Sequence, residues 1–163
     1  MRCAFNHVLL GSALLWAIAN CCVAQAAPKC NGGGNPAQVT ATDLNFGNYN
    51  AASPSATTAN ATVTVSCVDN GRELPSFTVA LSTGGSGTYA PRRLSSGANT
   101  LNYNIFTTGA YTSVWGNGAG GSVIVSDTGG VNSLSFTAYG RIPAGQYVAA
   151  GSYADTITVT VTY

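Results

Sequence analysis

Charge is scarce in this sequence, and the side chains that carry out most protein chemistry are scarcer still. Lys and Arg number 6 and Asp and Glu 5 over 163 residues, so charged residues are 7% of the chain and the formal net charge is +1. Without a basic excess there is no electrostatic footprint for nucleic acid, and none for an acidic membrane surface. His7 is the only histidine and Met1 the only methionine. Beyond residue 26, Leu, Glu and Lys are few, and no apolar period of 3.6 residues lasts three turns, so helix signals are nearly absent. The apolar run Val8 to Ile18 (VLLGSALLWAI) is short for a bilayer, and no integral membrane anchor is expected.

That run reads instead as part of an export leader. Arg2 gives it a positive start and Ala24-Gln25-Ala26 fits the small-x-small cleavage pattern, so residues 1–26 form a signal peptide cut after Ala26. Cys21 and Cys22 would suit lipid attachment, but Asn20 stands where a small residue is needed. The mature chain is then 137 residues (163 less 26), enough for one domain with a real core. It is also neutral: Lys29, Arg72, Arg92, Arg93 and Arg141 balance Asp43, Asp69, Glu73, Asp127 and Asp155. His7 departs with the leader, which removes any Ser-His-Asp or Cys-His nucleophile system. Cys30 and Cys67 are left, too few for a zinc site without imidazole. In an exported chain they are expected to pair, two free thiols being the alternative. A bridge across that span would stabilise by roughly 4 kcal/mol in the chain-entropy account and pin the CNGGGNP start to a central strand.

The fragments that resemble catalytic motifs read better as turns. GNGAGG (116–121) satisfies G-x-G-x-x-G, but SVIVS follows it, a strand where a dinucleotide site needs a helix. Asp127-Thr128-Gly129 is the aspartic-protease triplet, present once, whereas that chemistry needs two carboxylates. A glycosidase would need two facing acids, and four of the five lie in or beside turns. Asp155 reads as a structural partner of Arg141 or a turn hydrogen bond, and Arg92-Arg93 as a solvated loop. Trp115 is either a core anchor or a surface for stacking carbohydrate. No enzyme, cofactor or metal is expected.

What the sequence has in quantity is alternation. QVTATDLNF opens the series, and NATVTVSCV puts Val63, Val65 and Cys67 on one face. SFTVALS does the same with Phe77, Val79 and Leu81, and TLNYNIF with Leu101, Tyr103 and Ile105. NSLSFTAYG offers Leu134, Phe136 and Ala138, and GSYADTITVTVTY offers Ile157, Val159, Val161 and Tyr163. Six or seven such strands, separated by Gly-rich turns, predict an all-β antiparallel sandwich.

Two segments go further than composition. AYTSVWGNGAGG (110–121) and YGRIPAGQYVAAGSYADTITVTVTY (139–163) resemble signatures of the spore coat protein U domain, a family that includes subunits of archaic (Csu-type) chaperone–usher pili. VTATDLNFGNYNA (39–51) resembles its early strand, and ATVTVSCV (61–68) the strand bearing its second cysteine. The resemblance implies an immunoglobulin-like sandwich lacking its last strand, which a partner supplies in trans along an edge formed by Ile157, Val159, Val161 and Tyr163. It implies a periplasmic chaperone, an outer-membrane usher and a neighbouring pilus or coat subunit as partners, with passage through the periplasm to the cell surface. Filling such a groove with four or five side chains would return roughly 6–15 kcal/mol, part of it offset by ordering the donor. Polymerising members carry an alternating donor segment before the first cysteine, whereas here only Ala27-Pro28-Lys29 separates the cut from Cys30. The chain is therefore expected to receive a strand but not to give one, as a tip or minor subunit does. The alternative is a self-sufficient carbohydrate- or surface-binding sandwich using Trp115 and the tyrosines as a platform.

Overall fold

In the computed structural model the chain forms two antiparallel five-stranded sheets. Backbone and side chains are described for residues 30–31, 37–68 and 71–163, and the backbone alone for 2–10 and 14–21. The cleavage position after Ala26 and the Ala27–Lys29 linker lie outside the described residues.

The strands are β1 (Arg2–Leu10), β2 (Leu14–Cys21), β3 (Ala37–Ala41), β4 (Thr57–Cys67), β5 (Phe77–Leu81), β6 (Arg92–Ser96), β7 (Asn99–Phe106), β8 (Val125–Asp127), β9 (Ser133–Ile142) and β10 (Thr156–Thr162). One sheet runs β2-β1-β10-β5-β8 and the other β3-β4-β9-β7-β6. Among the described residues there is no α-helix, only a short 3-10 turn at Gly84–Ser86.

The alternating runs become strands because period-2 apolar residues all reach one face of a pleat. Val63, Val65, Cys67, Phe77, Val79, Leu81, Leu101, Tyr103 and Ile105 are all buried, as their spacing requires. On β9, Ala138 is buried while Leu134 and Phe136 are half-buried against the same core. The bridge between Cys30 and Cys67 is formed, with Cα atoms 6.0 Å apart, and it ties the segment before β3 to the end of β4.

Four expectations are corrected. The first alternating run forms a strand only over Ala37–Ala41; after one more bond, Thr42 N–H to the Thr62 carbonyl at 2.9 Å, the backbone leaves the sheet, although Leu44 and Phe46 are still buried. SVIVS contributes only its end to β8. Arg92-Arg93 is not a solvated loop but the start of β6, paired with β7 through Arg92↔Tyr103. Trp115 is wholly buried and cannot act as a surface platform. Its indole N–H donates to the Val79 carbonyl at 2.9 Å, its backbone N–H to Ile105 at 2.9 Å, and Leu81 N–H reaches the next carbonyl, Gly116, at 3.2 Å. Segment 115–116 thus ties β7 of one sheet to β5 of the other.

GNGAGG and DTGG are turns, as expected: Gly118, Gly120, Gly121, Gly129 and Gly130 all have positive φ. At Gly129 a Cβ would collide with the Leu74 and Pro75 carbonyls, and at Gly116 with the Ser122 side chain and the Tyr89 ring.

Reducing the Cys30–Cys67 bridge is expected to lower unfolding stability by roughly 4 kcal/mol, less any residual structure in the reduced chain. Urea midpoints with and without reductant measure it.

Candidate strand-addition site

β10 is the strand on which the functional expectation rests. Its sequence, TITVTVT, is β-branched throughout, and burial alternates along it. Ile157, Val159 and Val161 point into the core of their own sandwich, while Thr156 and Thr162 are exposed. The apolar row is therefore already packed. What β10 can offer a partner is its backbone edge.

One edge is closed by β5, in the register Val159↔Leu81, Thr160↔Ala80, Val161↔Val79 and Thr162↔Thr78. Ser82 extends this pairing, since its N–H donates to the Thr158 carbonyl and its Oγ accepts from Thr158 N–H, both at 2.9 Å. The other edge is closed by β1, antiparallel, with Arg2↔Thr160, Cys3↔Val159, Ala4↔Thr158, Phe5↔Ile157 and Asn6↔Thr156. In the full chain both edges of β10 are thus occupied. The strand on the second edge comes from the segment the sequence marks as a leader. β1 also approaches β3 of the facing sheet, so it lies along the flank where the two sheets would otherwise part.

Tyr163, the last of the expected edge residues, is half-buried beyond the strand, its ring 5.9 Å from that of Phe77. Burial raises its phenol above the usual range.

A buried polar cluster fixes where β10 begins. The Asp155 carboxylate accepts from Tyr103 O–H at 2.7 Å and from the N–H groups of Gly85 and Thr156 at 2.8 Å each. Asp155 therefore makes the turn hydrogen bonds that were one alternative, while Arg141 lies over the Tyr111 ring, 5.5 Å from its centroid. Gly84 has φ +66°, and a Cβ there would strike the Asp155 carboxylate. Beside this cluster Arg92 is fully enclosed. Its guanidinium donates to Ser82 O at 2.8 and 3.0 Å, to Trp115 O at 2.7 Å and to Asn104 Oδ1 at 2.8 Å. It also lies 4.9 Å from the Tyr89 ring centroid, a cation–π contact that spreads its charge further.

Burial sets the titration of these groups. It pushes the Asp155 carboxyl up, against the hydrogen bonds from Gly85, Tyr103 and Thr156 and the charge of Arg92. It pushes the Tyr103 phenol well up, the Asp155 charge adding to the effect, and pulls the Arg92 guanidinium down. The one trace of this cluster in the sequence is Arg92 in step with Leu94, alternating with Arg93 and Ser95.

The arrangement contains no reacting constellation. It holds β10 in register from its β5 side, while the other backbone edge pairs with β1. Comparison with known proteins fits that description, for the Spore Coat Protein U domain matches residues 13–160. The chain belongs to the Spore Coat Protein U domain family. No curated protein matches the sequence. Among solved structures, the Spore Coat Protein U chain is similar to the pre-assembly complex of the chaperone CsuC and the tip adhesion subunit CsuE, from the archaic chaperone–usher Csu pili of Acinetobacter baumannii. Identity is 22% and the TM-score 0.51, over 78% of this chain and 39% of that one. The immunoglobulin-like sandwich is the fold they share, and the chain spans well under half the length of that neighbour.

Replacing Asp155 with Ala removes the acceptor of the buried Tyr103 O–H and of the more exposed Gly85 and Thr156 N–H groups, and is expected to cost about 1–3 kcal/mol, whereas Asp155→Asn keeps an acceptor and costs less. Because the folded-state value is raised, the Asp155 contribution is full below the ordinary 3.8 and is lost as pH rises through the raised value. Chemical denaturation of wild type against Asp155→Asn, pH point by pH point, is expected to show wild type gaining on acidification across that window.

Proposed function

We propose that this chain is an exported structural subunit of a chaperone–usher pilus or of a spore or cell coat, completed by a strand from another polypeptide. Residues 1–26 are the signal peptide, removed after Ala26. Their loss takes away β1 and β2 together and leaves the β1-side edge of Thr156–Thr160 without a partner. The single observation that supports this reading is the identity of the strand beside β10: it belongs wholly to the leader.

The consequences are physical. An open edge exposes backbone donors and acceptors in a row, which invites aggregation and calls for a periplasmic chaperone in transit and an outer-membrane usher for assembly. A donor strand restores main-chain bonds, worth about 0.5–1.5 kcal/mol each net, and selects partners through its inward side chains. In the antiparallel register that β1 adopts, the donor positions opposite Ile157 and Val159 face the core, because directly opposed residues share a face. Apolar groups there add roughly 1.5–3 kcal/mol apiece when fully buried. The subunit is a receiver rather than a donor, since three residues before Cys30 cannot fill a groove, and a tip or minor position in the assembly follows. It works at the cell surface and catalyses nothing.

A chain beginning at Ala27 is expected to aggregate or to melt at low temperature when alone. An alternating apolar peptide added in trans is expected to raise its melting temperature by about 10 °C or more, at 2–4 °C per kcal/mol for a domain of this size. A peptide with Lys at the two positions opposite Ile157 and Val159 is expected to give little. A cleaved chain as stable without peptide as with it contradicts the proposal.

A further inference from the structure

The outer face of the sheet that faces β10 carries a side-chain cluster for which strand addition has no use. Register places its members together. Asn60 of β4 lies opposite Tyr139 of β9, and Thr58 opposite Arg141, while Phe106 of β7 flanks Tyr139 from the other side. Directly opposed residues share a face, and so do residues two apart on one strand. That face is the outer one, because the intervening Ala61, Ile105, Ala138 and Ile142 are buried in the core. Thr58, Asn60 and Arg141 are exposed, and Phe106 and Tyr139 are half-buried.

The loop after β7 completes the cluster. It is closed at its base by the Phe106↔Val114 bridge and by Thr107 N–H donating to the Ser113 carbonyl at 3.0 Å. Gly109 runs beside the Tyr139 ring, where a Cβ would lie 3.4 Å from a ring carbon. Tyr111 then adopts φ +55°, a left-handed conformation that bulky side chains rarely take. Its ring meets that of Phe106 edge to face, with centroids 5.6 Å apart, and lies 5.5 Å from the guanidinium carbon of Arg141. Arg141 is thus held on this face by an aromatic ring. No carboxylate pairs with it among the described residues, and Asp155 is taken up by Tyr103, Gly85 and Thr156. The side chains of Thr58 and Asn60 likewise make no hydrogen bond among the described residues, and the Tyr139 ring has no aromatic partner there.

We propose that this face binds a saccharide unit that carries a carboxylate, of the uronic or sialic acid kind. Residues two apart on a strand are about 6.8 Å apart, so a pyranose ring over Tyr139 brings its exocyclic carboxylate to Arg141. The guanidinium fork takes a carboxylate through two parallel N–H bonds, and the aromatic ring covers the apolar C–H face of the sugar. Asn60 and Thr58, on the neighbouring strand, both donate and accept, as sugar hydroxyls do. A neutral sugar would leave the guanidinium unused. An acidic side chain of a protein would use Arg141 and leave Asn60 and Tyr139 unmatched. The surroundings of the rings are hydroxyls and amides, whereas the centre of a protein interface is depleted in such groups and rich in apolar ones. The site lies on the sheet β3-β4-β9-β7-β6 and does not involve β10, so the inference stands apart from strand addition.

Amide chemical-shift titration of the full chain tests this. D-Glucuronate, D-galacturonate and N-acetylneuraminate are the separate probes, D-glucose is the neutral counterpart, and poly-L-glutamate supplies carboxylates without a sugar. At least one acidic sugar is expected to shift the amides of Thr58, Asn60, Tyr139 and Arg141, with D-glucose at least about tenfold weaker. Arg141→Gln keeps an exposed polar side chain, leaves the melting temperature unchanged and is expected to weaken the acidic sugar about tenfold, to the level of D-glucose. Tyr111→Gly suits the left-handed backbone, keeps the fold and is expected to weaken the acidic sugar at least about threefold by freeing Arg141. The assignment is overturned if no acidic sugar shifts these amides, if D-glucose binds as tightly, if poly-L-glutamate binds more tightly than every sugar, or if Arg141→Gln leaves binding of the acidic sugar intact.

Discussion

A β-strand has two edges, and the backbone groups on each must be bonded or hydrated. In this molecule β10 is held on one edge by β5, while on the other it pairs with β1, a strand from the first ten residues. The rest of the architecture makes this asymmetry consequential. On one flank the sandwich is stitched by Trp115 and Gly116, which bond β7 and β5 at once. On the other flank, among the described residues, β1 meets both β10 and β3. Under the proposed cleavage after Ala26, the closure of one flank would be lost and the other left untouched, with the disulfide, the tryptophan anchor and most of the core retained.

A buried polar cluster lies beside β10 on its β5 side. If the proposed exchange of neighbours takes place, β10 has to be kept in register from its β5 side. Asp155 does this at the entry to β10 by gathering Tyr103, Gly85 and Thr156, and Arg92 braces the neighbouring Ser82, whose backbone and hydroxyl both bond Thr158. Such a cluster is stable only when every member is satisfied, and here the carboxylate has three donors and the guanidinium three protein acceptors. The glycine at 84 belongs to the same device, because only a residue without a Cβ leaves room for the carboxylate.

The strands with strict alternation were readable from sequence, because period-2 spacing determines which residues face inward whatever the partner strand is. Val63-Val65-Cys67 and Ile157-Val159-Val161 are clear instances, and the cysteine pairing followed from having two thiols in a chain marked for export. β6 was hidden because arginine at its start signals solvent, whereas Arg92 is enclosed by carbonyls of Ser82 and Trp115 that lie close only after folding. The early run outlasted its strand on paper because Leu44 and Phe46 continue to face the core after the ladder has ended. Pairing partners were harder to read than faces. Backbone edges carry no side-chain signature, so nothing in TITVTVT says whether its second neighbour is a leader, another part of the chain or another molecule.

The central claim is that β10 has one permanent neighbour and one replaceable one. Residue-resolved amide hydrogen exchange on the chain from Ala27 onward, with and without an antiparallel donor peptide, reads this directly. The account predicts that amides of Thr156–Thr160 directed toward the β1 side exchange quickly without peptide and become protected with it, while those directed toward β5 stay protected throughout. A monomeric cleaved chain whose β10 amides are protected on both edges before any peptide is added would contradict it.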